Sequence, residues 1–438
     1  MYGKVNQYIA DHQMELAQMV SDLIRIDSQN QGVANTANEA EAQEYVYNAM
    51  DALHLSPKAL AYDEGKKRPN VYGIYPGTGG GKSLLINAHI DTVAITHPDE
   101  WVHPPLSGLI QDGVIYGRGA SDDKMAVASM IFAIKALQEC GVRLKGDVML
   151  LSSVGEESGE GATVGAGPAV RDMPRPDFAI VSEATCMDMD IASSSYTCFE
   201  VTVRGKAAHT CARNQAFYPQ RKGLPCGSEA GVDALSKALP IIQMLYHLER
   251  DWNLIRRYEI WGAGGTPVPD GKGVGAFAIN PSLIKGGEYI GSIMSSVTIL
   301  YALVYSSDIP LEQITKEVVD AIMAVASTDS WLREHPPEVK IPIIKDWRGF
   351  KTSMDEPGIL ALRNAFKETL GREMSITANK AVMDATFIQQ AGIPVVSFGP
   401  GGPETNQHGV NEWASIKLLV EATQVYARMM MDWCGISD

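Results

Sequence analysis

The stretch Ser83-Leu84-Leu85-Ile86-Asn87-Ala88-His89-Ile90-Asp91-Thr92 is a short apolar run that ends on two titratable side chains. A run of this length, bounded by glycines and rich in branched residues, reads as a buried strand. Alternate side chains of a strand share a face, so His89 and Asp91 can point the same way. An imidazole that binds metal needs its second ring nitrogen oriented, usually by a carboxylate. The plainer reading is a His and an Asp at a strand end, capping whatever follows.

The same pattern repeats outward from this stretch. Residues 70–75, 147–154 and 177–181 are further short apolar runs, and 122–139 has helical spacing. Such alternation argues for an α/β layer architecture. The pattern then changes. Residues 198–203 alternate like a half-exposed strand, 229–252 read as a helix, 273–284 and 292–305 as strands, and 311–326 as a helix. That run belongs to a small α+β domain. Alternation of the first kind resumes and ends in a helix over 414–433. The 438 residues are long for one domain. The expected fold class is therefore α/β: a domain with a central mixed sheet, residues 1–193 and 314–438, interrupted by an inserted α+β domain, residues 194–313.

Four more motifs fall where such strands end or helices begin. They are Tyr116-Gly117-Arg118-Gly119-Ala120-Ser121-Asp122-Asp123-Lys124, Gly155-Glu156-Glu157-Ser158-Gly159-Glu160-Gly161, Val181-Ser182-Glu183, and Phe398-Gly399-Pro400-Gly401-Gly402 with Asn406-Gln407-His408-Gly409 and Glu412. Each alone has a plain reading. Asp122 can be a helix N-cap, the paired glutamates a solvated loop, and His408 a surface residue. Ligands of α/β sheets, however, bind at the carboxyl ends of the strands. His89, Asp122, Glu157, Glu183 and His408 together give two imidazoles and three carboxylates, a donor set that suits zinc, cobalt or manganese. Of the adjacent glutamates, one can ligate and the other can stay free as a general base.

In this order and spacing, H-x-D-T, G-R-G-x-x-D-x-K, G-E-E-x-G, a later S-E and a C-terminal G-P-G…H resemble the M20 metallopeptidase/amidohydrolase family. That family includes carboxypeptidases, aminoacylases, deacetylases and succinyl-diaminopimelate desuccinylases. The resemblance covers nearly the whole chain and implies two divalent ions, zinc first, with manganese or cobalt as alternatives. It implies that His89 and Glu183 hold one ion, Glu157 and His408 the other, and Asp122 bridges them. Asp91 would orient His89, Glu156 would be the general base, and the peptide after Asp122 would be cis. It also implies that the inserted domain is a lid that mediates dimerisation. The match at Arg204-Gly205-Lys206-Ala207-Ala208-His209-Thr210 implies that His209 stabilises an oxyanion in a partner subunit's site.

Two departures bear on the substrate. Family lids supply an Arg from their last strand to grip a substrate carboxylate, yet no Arg occurs from Tyr258 to Leu332. Tyr305 or Ser307 stands in its place. The segment after His209 is long and aromatic, from Asn214 through Phe217 and Tyr218 to Arg221. Tyr305, Asn280 and Arg213 are the candidates for substrate contact. The expected activity is hydrolysis of a C–N bond in a small N-acyl amino acid or dipeptide. The alternative is an unusual non-peptide C–N bond, such as deamination of an aromatic amine like a nitroanthranilate. A catalytically dead binding protein of the same fold is a minor alternative, which the intact Glu156 and ligand set oppose.

Charge and composition exclude other classes. The formal net charge is −15, the wrong sign for a nucleic-acid partner. No run of about 18 apolar residues suggests a membrane span. The start is polar, without the pattern of a signal peptide. Six cysteines without a C-x-x-C pair argue against a disulfide framework or a thiolate site. The expected setting is cytoplasmic, with a small-molecule substrate and a homodimer or higher homo-oligomer.

Overall fold

The structure is a computed structural model that describes residues 1–30, 38–217, 226–256, 275–343 and 347–437. The chain divides into two compact units. The first comprises residues 1–192, 350–377 and 383–438, and the second 193–349 and 378–382.

The sheet of the first unit runs in the order Lys58–Ala61, Pro69–Tyr75, Val148–Ser153, Leu84–His89, Phe178–Val181, Val395–Ser397. The first two junctions are antiparallel. The last four strands are mutually parallel. Every residue of those four is buried, because helices cover both faces; that is why they read as apolar runs rather than alternating strands. On one face Leu85, Met149, Ala179 and Val395 pack against Ala169, Ala385 and Ile388 of the helices Ala166–Asp172 and Ala385–Gln390. On the other face Phe178 meets Trp433 of the helix Ile416–Cys434, ring centroids 5.4 Å apart. Gly358, in the helix Pro357–Leu370, also lies against Phe178. A Cβ there would come within 2.3 Å of the ring, so only glycine allows that approach. Because the four strands are parallel, their carboxyl ends at His89, Ser153, Val181 and Ser397 lie along one edge.

In the second unit, Ser296–Ser306 pairs antiparallel with Met189–Arg204 on one side and Ala278–Gly286 on the other. Glu338–Lys340 adds to the free side of Met189–Arg204. Val297, Ile299, Tyr301, Leu303 and Tyr305 are buried while the residues between them are partly exposed. This period of two marks a sheet covered on one face. The helices Ala234–Ile255 and Leu311–Thr328 pack together in the same unit. The second unit therefore extends past the expected end at residue 313, since that helix and the Glu338–Lys340 strand both belong to it. Among the described residues, no helix is long and apolar enough to cross a membrane.

Candidate metal centre

The four parallel strands each deliver a polar loop to the same edge. Leu84–His89 ends on His89; Val148–Ser153 leads to Glu156 and Glu157; Phe178–Val181 leads to Glu183; Val395–Ser397 leads to the loop carrying His408. Gly399 lets that last loop pass directly over Glu183, where a Cβ would come within 2.5 Å of the Glu183 carbonyl oxygen. Two clusters with metal-ligand spacing result: His89, Asp122 and Glu183, and Asp122, Glu157 and His408. Asp122 belongs to both. Its Oδ1 lies 3.0 Å from Nε2 of His89, and its Oδ2 lies 3.1 Å from Nε2 of His408. Nε2 of His408 is also 3.1 Å from Oε2 of Glu157.

Asp122 is not a helix N-cap. The helix begins at Met125, and the turn before it has extended φ/ψ at Asp122 (−129°, 90°) and a cis peptide between Asp122 and Asp123. The Lys124 ammonium, buried, donates to the carbonyls of Leu23 at 2.9 Å and Ile26 at 2.8 Å. It thus ties this turn to the end of the helix Gln13–Arg25, where unpaired carbonyls need donors. The Asp122 carboxylate is left to face the two imidazoles.

Asp91 is wholly buried and has more contacts than its spacing from His89 suggested. Its Oδ1 is 3.6 Å from Nδ1 of His89, whose closer partner is the Asp91 backbone carbonyl at 3.0 Å. The same carboxylate accepts the backbone N–H groups of Glu156 at 3.2 Å and Glu157 at 3.1 Å. Asn30 donates to Asp91 and also to Ser158, at 3.2 and 2.7 Å. One buried carboxylate therefore sets both the first histidine and the glutamate turn.

The charge balance of the cluster calls for cations. Burial, reinforced by neighbouring carboxylates, pushes the acids of Glu156 and Glu157 above their usual range. Burial raises Glu183 as well, with His89 partly opposing it. Burial would lower the His89 pKa, but its bonds to Asp122 and Asp91 win and hold it well above normal. Bonds to Asp122 and Glu157 push His408 up to about 11. Protons thus gather on the glutamates and imidazoles, while the bonds from His408 and His89 outweigh burial and hold the Asp122 carboxyl below its usual range, as expected where carboxylates crowd together without a metal counter-charge. The Glu183 Oε1 is buried without a hydrogen-bond partner. Nitrogen and oxygen donors of this kind fit divalent ions, which bind imidazole and carboxylate without protons.

Some residues near the centre were not singled out from sequence. Asp384 is buried, accepts the Ser153 hydroxyl at 2.7 Å and is raised to about 6 by burial. Asn30 comes from a loop far away in the chain. Arg118 and Glu412 stand inside quoted motifs but gained no role there; they form a buried ion pair at 2.5 Å. Only their flanking position beside Asp122 and His408 could have pointed to them.

The other expected site residues belong to the second unit. His209 is exposed, and its Nδ1 accepts the Cys211 N–H at 3.1 Å. A neutral ring so held carries its proton on Nε2. Arg213 pairs with Asp233 at 2.6 Å. Asn280 is exposed and donates to Ser282 at 3.2 Å. Tyr305 is 0% exposed, so its ring is not open to solvent. Tyr218 and Arg221 lie outside the described residues.

Comparison with known proteins places the sequence in a family and the fold among solved structures. A profile of peptidase family M20/M25/M40 matches residues 85–432. A Bacillus subtilis N-formyl-4-amino-5-aminomethyl-2-methylpyrimidine deformylase is 28% identical over 98% of this chain and 96% of its own. Aminopeptidase PepT of Bacillus cereus superimposes with a TM-score of 0.67 at 19% identity, covering 96% of this chain and 98% of that one. The Bacillus subtilis YXEP protein, a dinuclear metal binding peptidase of the M20 family, does so with a TM-score of 0.60 at 15% identity over 96% and 98%.

Proposed function

The chain belongs to peptidase family M20/M25/M40, and from that premise we propose that it hydrolyses the C–N bond of a small N-acyl amine with the aid of two divalent ions. The observation that carries this reading is the pair of three-residue ligand clusters sharing Asp122, with the buried Glu156 next to Glu157 and within the field of Glu183 and His89. His89, Asp122 and Glu183 would hold one ion and Asp122, Glu157 and His408 the other. Zinc is the first candidate, then manganese or cobalt. Such ions acidify a water and polarise a carbonyl.

The chain's own groups do the rest. Glu156 takes a proton from the attacking water and returns it to the leaving nitrogen. Asp91 holds the Glu156 and Glu157 backbone while this happens. His209, protonated on Nε2, donates to the carbonyl oxygen as negative charge develops there, in the site of a partner subunit. A homodimer or higher homo-oligomer through the second unit, and a cytoplasmic setting, belong to the same proposal. The exposed Leu283 and Ile284 on the Ala278–Gly286 strand support the first. The unpaired state of all six cysteines supports the second.

For the acyl amine, the N-formyl aminomethyl-pyrimidine named for the Bacillus subtilis relative is the best-supported class. It has no carboxylate to be gripped. The second unit has no Arg on the Ser296–Ser306 strand, and Arg213 is paired with Asp233. In the first unit Arg118 is paired with Glu412, and Arg68 with Glu39 and Glu160. An N-acyl amino acid or dipeptide is the second reading, with the family resemblance behind it. Metal-loaded enzyme should hydrolyse N-formyl aminomethyl-pyrimidine with a higher kcat/KM than N-formyl or N-acetyl amino acids. The reverse order would replace the first class with the second, and no hydrolysis of either would defeat the amidase reading.

A further inference from the structure

The ion pair between Arg118 and Glu412 joins the two loops that carry Asp122 and His408. Arg118 stands four residues before Asp122, and Glu412 four residues after His408. Their side chains are 1% and 0% exposed. The Ser121 and Asp122 N–H groups donate to Oε1 of Glu412 at 2.9 and 3.1 Å. The Gly119 N–H donates to Oε2 at 3.1 Å, where Arg118 Nη1 also binds. In return, Arg118 Nη2 donates to the carbonyl of Gly409 at 2.9 Å, one residue beyond His408. Each loop thus sends a charged side chain to the backbone beside the other loop's ligand.

Neither loop could hold this shape by regular structure. Asn406, His408 and Asn411 all have φ near +60°, and the Asp122 turn is extended where a helix would be expected. Asparagine visits this region readily, but a histidine keeps such a φ only where its surroundings hold it. The Gly409 carbonyl held by Arg118 anchors the His408 loop, and the three N–H groups gathered on Glu412 anchor the Asp122 turn. Charge matters too. A guanidinium this close to a cation site would repel the cation, and the Glu412 carboxylate cancels it.

We propose that Arg118 and Glu412 are a reciprocal positioning pair that sets the binding strength of the metal position formed by Asp122, Glu157 and His408. The proposal rests on the dinuclear reading above. It predicts that Glu412→Gln weakens one ion selectively. The glutamine can still accept from Ser121 and Asp122, but its amide opposes Gly119 and Arg118 donor to donor and leaves the guanidinium uncancelled. Arg118→Lys keeps the charge and loses the fork that reaches Gly409, so it should give a smaller loss.

The test is a titration of apo-protein with cobalt(II), followed by its absorption bands and by mass spectrometry of bound metal. Circular dichroism checks the fold. Wild type should take two ions. Folded Glu412→Gln should keep one at wild-type strength and bind the other at least about tenfold more weakly. Arg118→Lys should weaken the same ion by a smaller factor, and carries the test alone if Glu412→Gln does not fold. His408→Ala identifies the weakened position: combining it with Glu412→Gln should weaken no further ion. Folded variants that bind both ions within about twofold of wild type would overturn the pair's role. A wild type that binds no cobalt would instead defeat the dinuclear reading itself.

Discussion

His408 and His209 show how differently the two units use one side chain. His408 turns Nε2 toward two carboxylates at 3.1 Å, on a backbone at φ 62° that the first unit holds in place. His209 sits on an exposed turn of the second unit, with Nδ1 occupied by a backbone N–H. A metal ligand must offer a lone pair at Nε2, whereas a hydrogen-bond donor must keep a proton there. The first unit sets two carboxylates against its histidine, where a cation can replace the shared proton. The second fixes a tautomer and leaves the donor nitrogen at the surface. The function proposed above divides along the same line, with metal binding and proton transfer in the first unit and charge stabilisation by His209 in the second.

The sharpest way to break this division is at the glutamate turn. A chelator should abolish activity, and added zinc, manganese or cobalt should restore it. Glu156→Gln should keep the metals and lose about 100- to 10,000-fold in kcat, because only proton transfer is removed. Glu157→Gln should lose metal instead. Metal content and turnover measured side by side decide the matter; exchanged phenotypes would mean the two roles are reversed.

His209→Ala tests the other half. It should leave metal content unchanged and lower kcat by about 100- to 1,000-fold, with little effect on KM, since the bond strengthens only as charge develops. If His209 serves a partner subunit, mixing His209→Ala with Glu156→Gln protein should recover activity through hybrid dimers. Subunit exchange without recovery would confine His209 to its own chain or remove it from catalysis.

Asp91→Asn should have a smaller effect, about 10- to 100-fold in activity or metal affinity, the range for groups that act behind a ligand. An asparagine keeps one acceptor for two backbone N–H groups, so the Glu156–Glu157 turn should loosen along with His89. If metal affinity falls while kcat at saturating metal stays unchanged, Asp91 acts through His89 alone and its hold on Glu156 is catalytically idle.

What could be read from sequence follows the same divide. His89, Glu157, Glu183 and His408 each follow an apolar strand, and parallel strands bring their carboxyl ends together, so local spacing predicts proximity. The second half of the site is built from contacts between residues far apart in the chain. Glu412 holds Asp122 from 290 positions away, and Asn30 holds Asp91 from 61. No local pattern encodes such a pair. The end of the second unit was misplaced for a similar reason: the helix Leu311–Thr328 resembles any other amphipathic helix until its partner Ala234–Ile255 is known. Tyr305 is different, because a signal existed. It shares its parity with Val297, Ile299, Tyr301 and Leu303, which marks the buried face of the strand.

The smallest expected effect concerns the substrate and bears on both units at once. An Arg binds a carboxylate with two parallel charged hydrogen bonds, which a Tyr or Ser cannot supply. On the Ser296–Ser306 strand no Arg is present, and Arg68, Arg118 and Arg213 already have acidic partners. A free α-carboxylate on the substrate should therefore add little to transition-state binding. An N-acyl amino acid and its amide-capped analogue should differ by about tenfold or less in kcat/KM, near 1.4 kcal/mol. Capping removes one charge and changes neither the scissile bond nor the side chain, so the ratio isolates carboxylate recognition. A ratio of about 1,000-fold, near 4 kcal/mol, would require a committed cation at the substrate carboxylate. Arg213 would then be the first to examine, because Asp233 could release its guanidinium on binding, and Arg213→Gln should collapse the ratio without changing metal content.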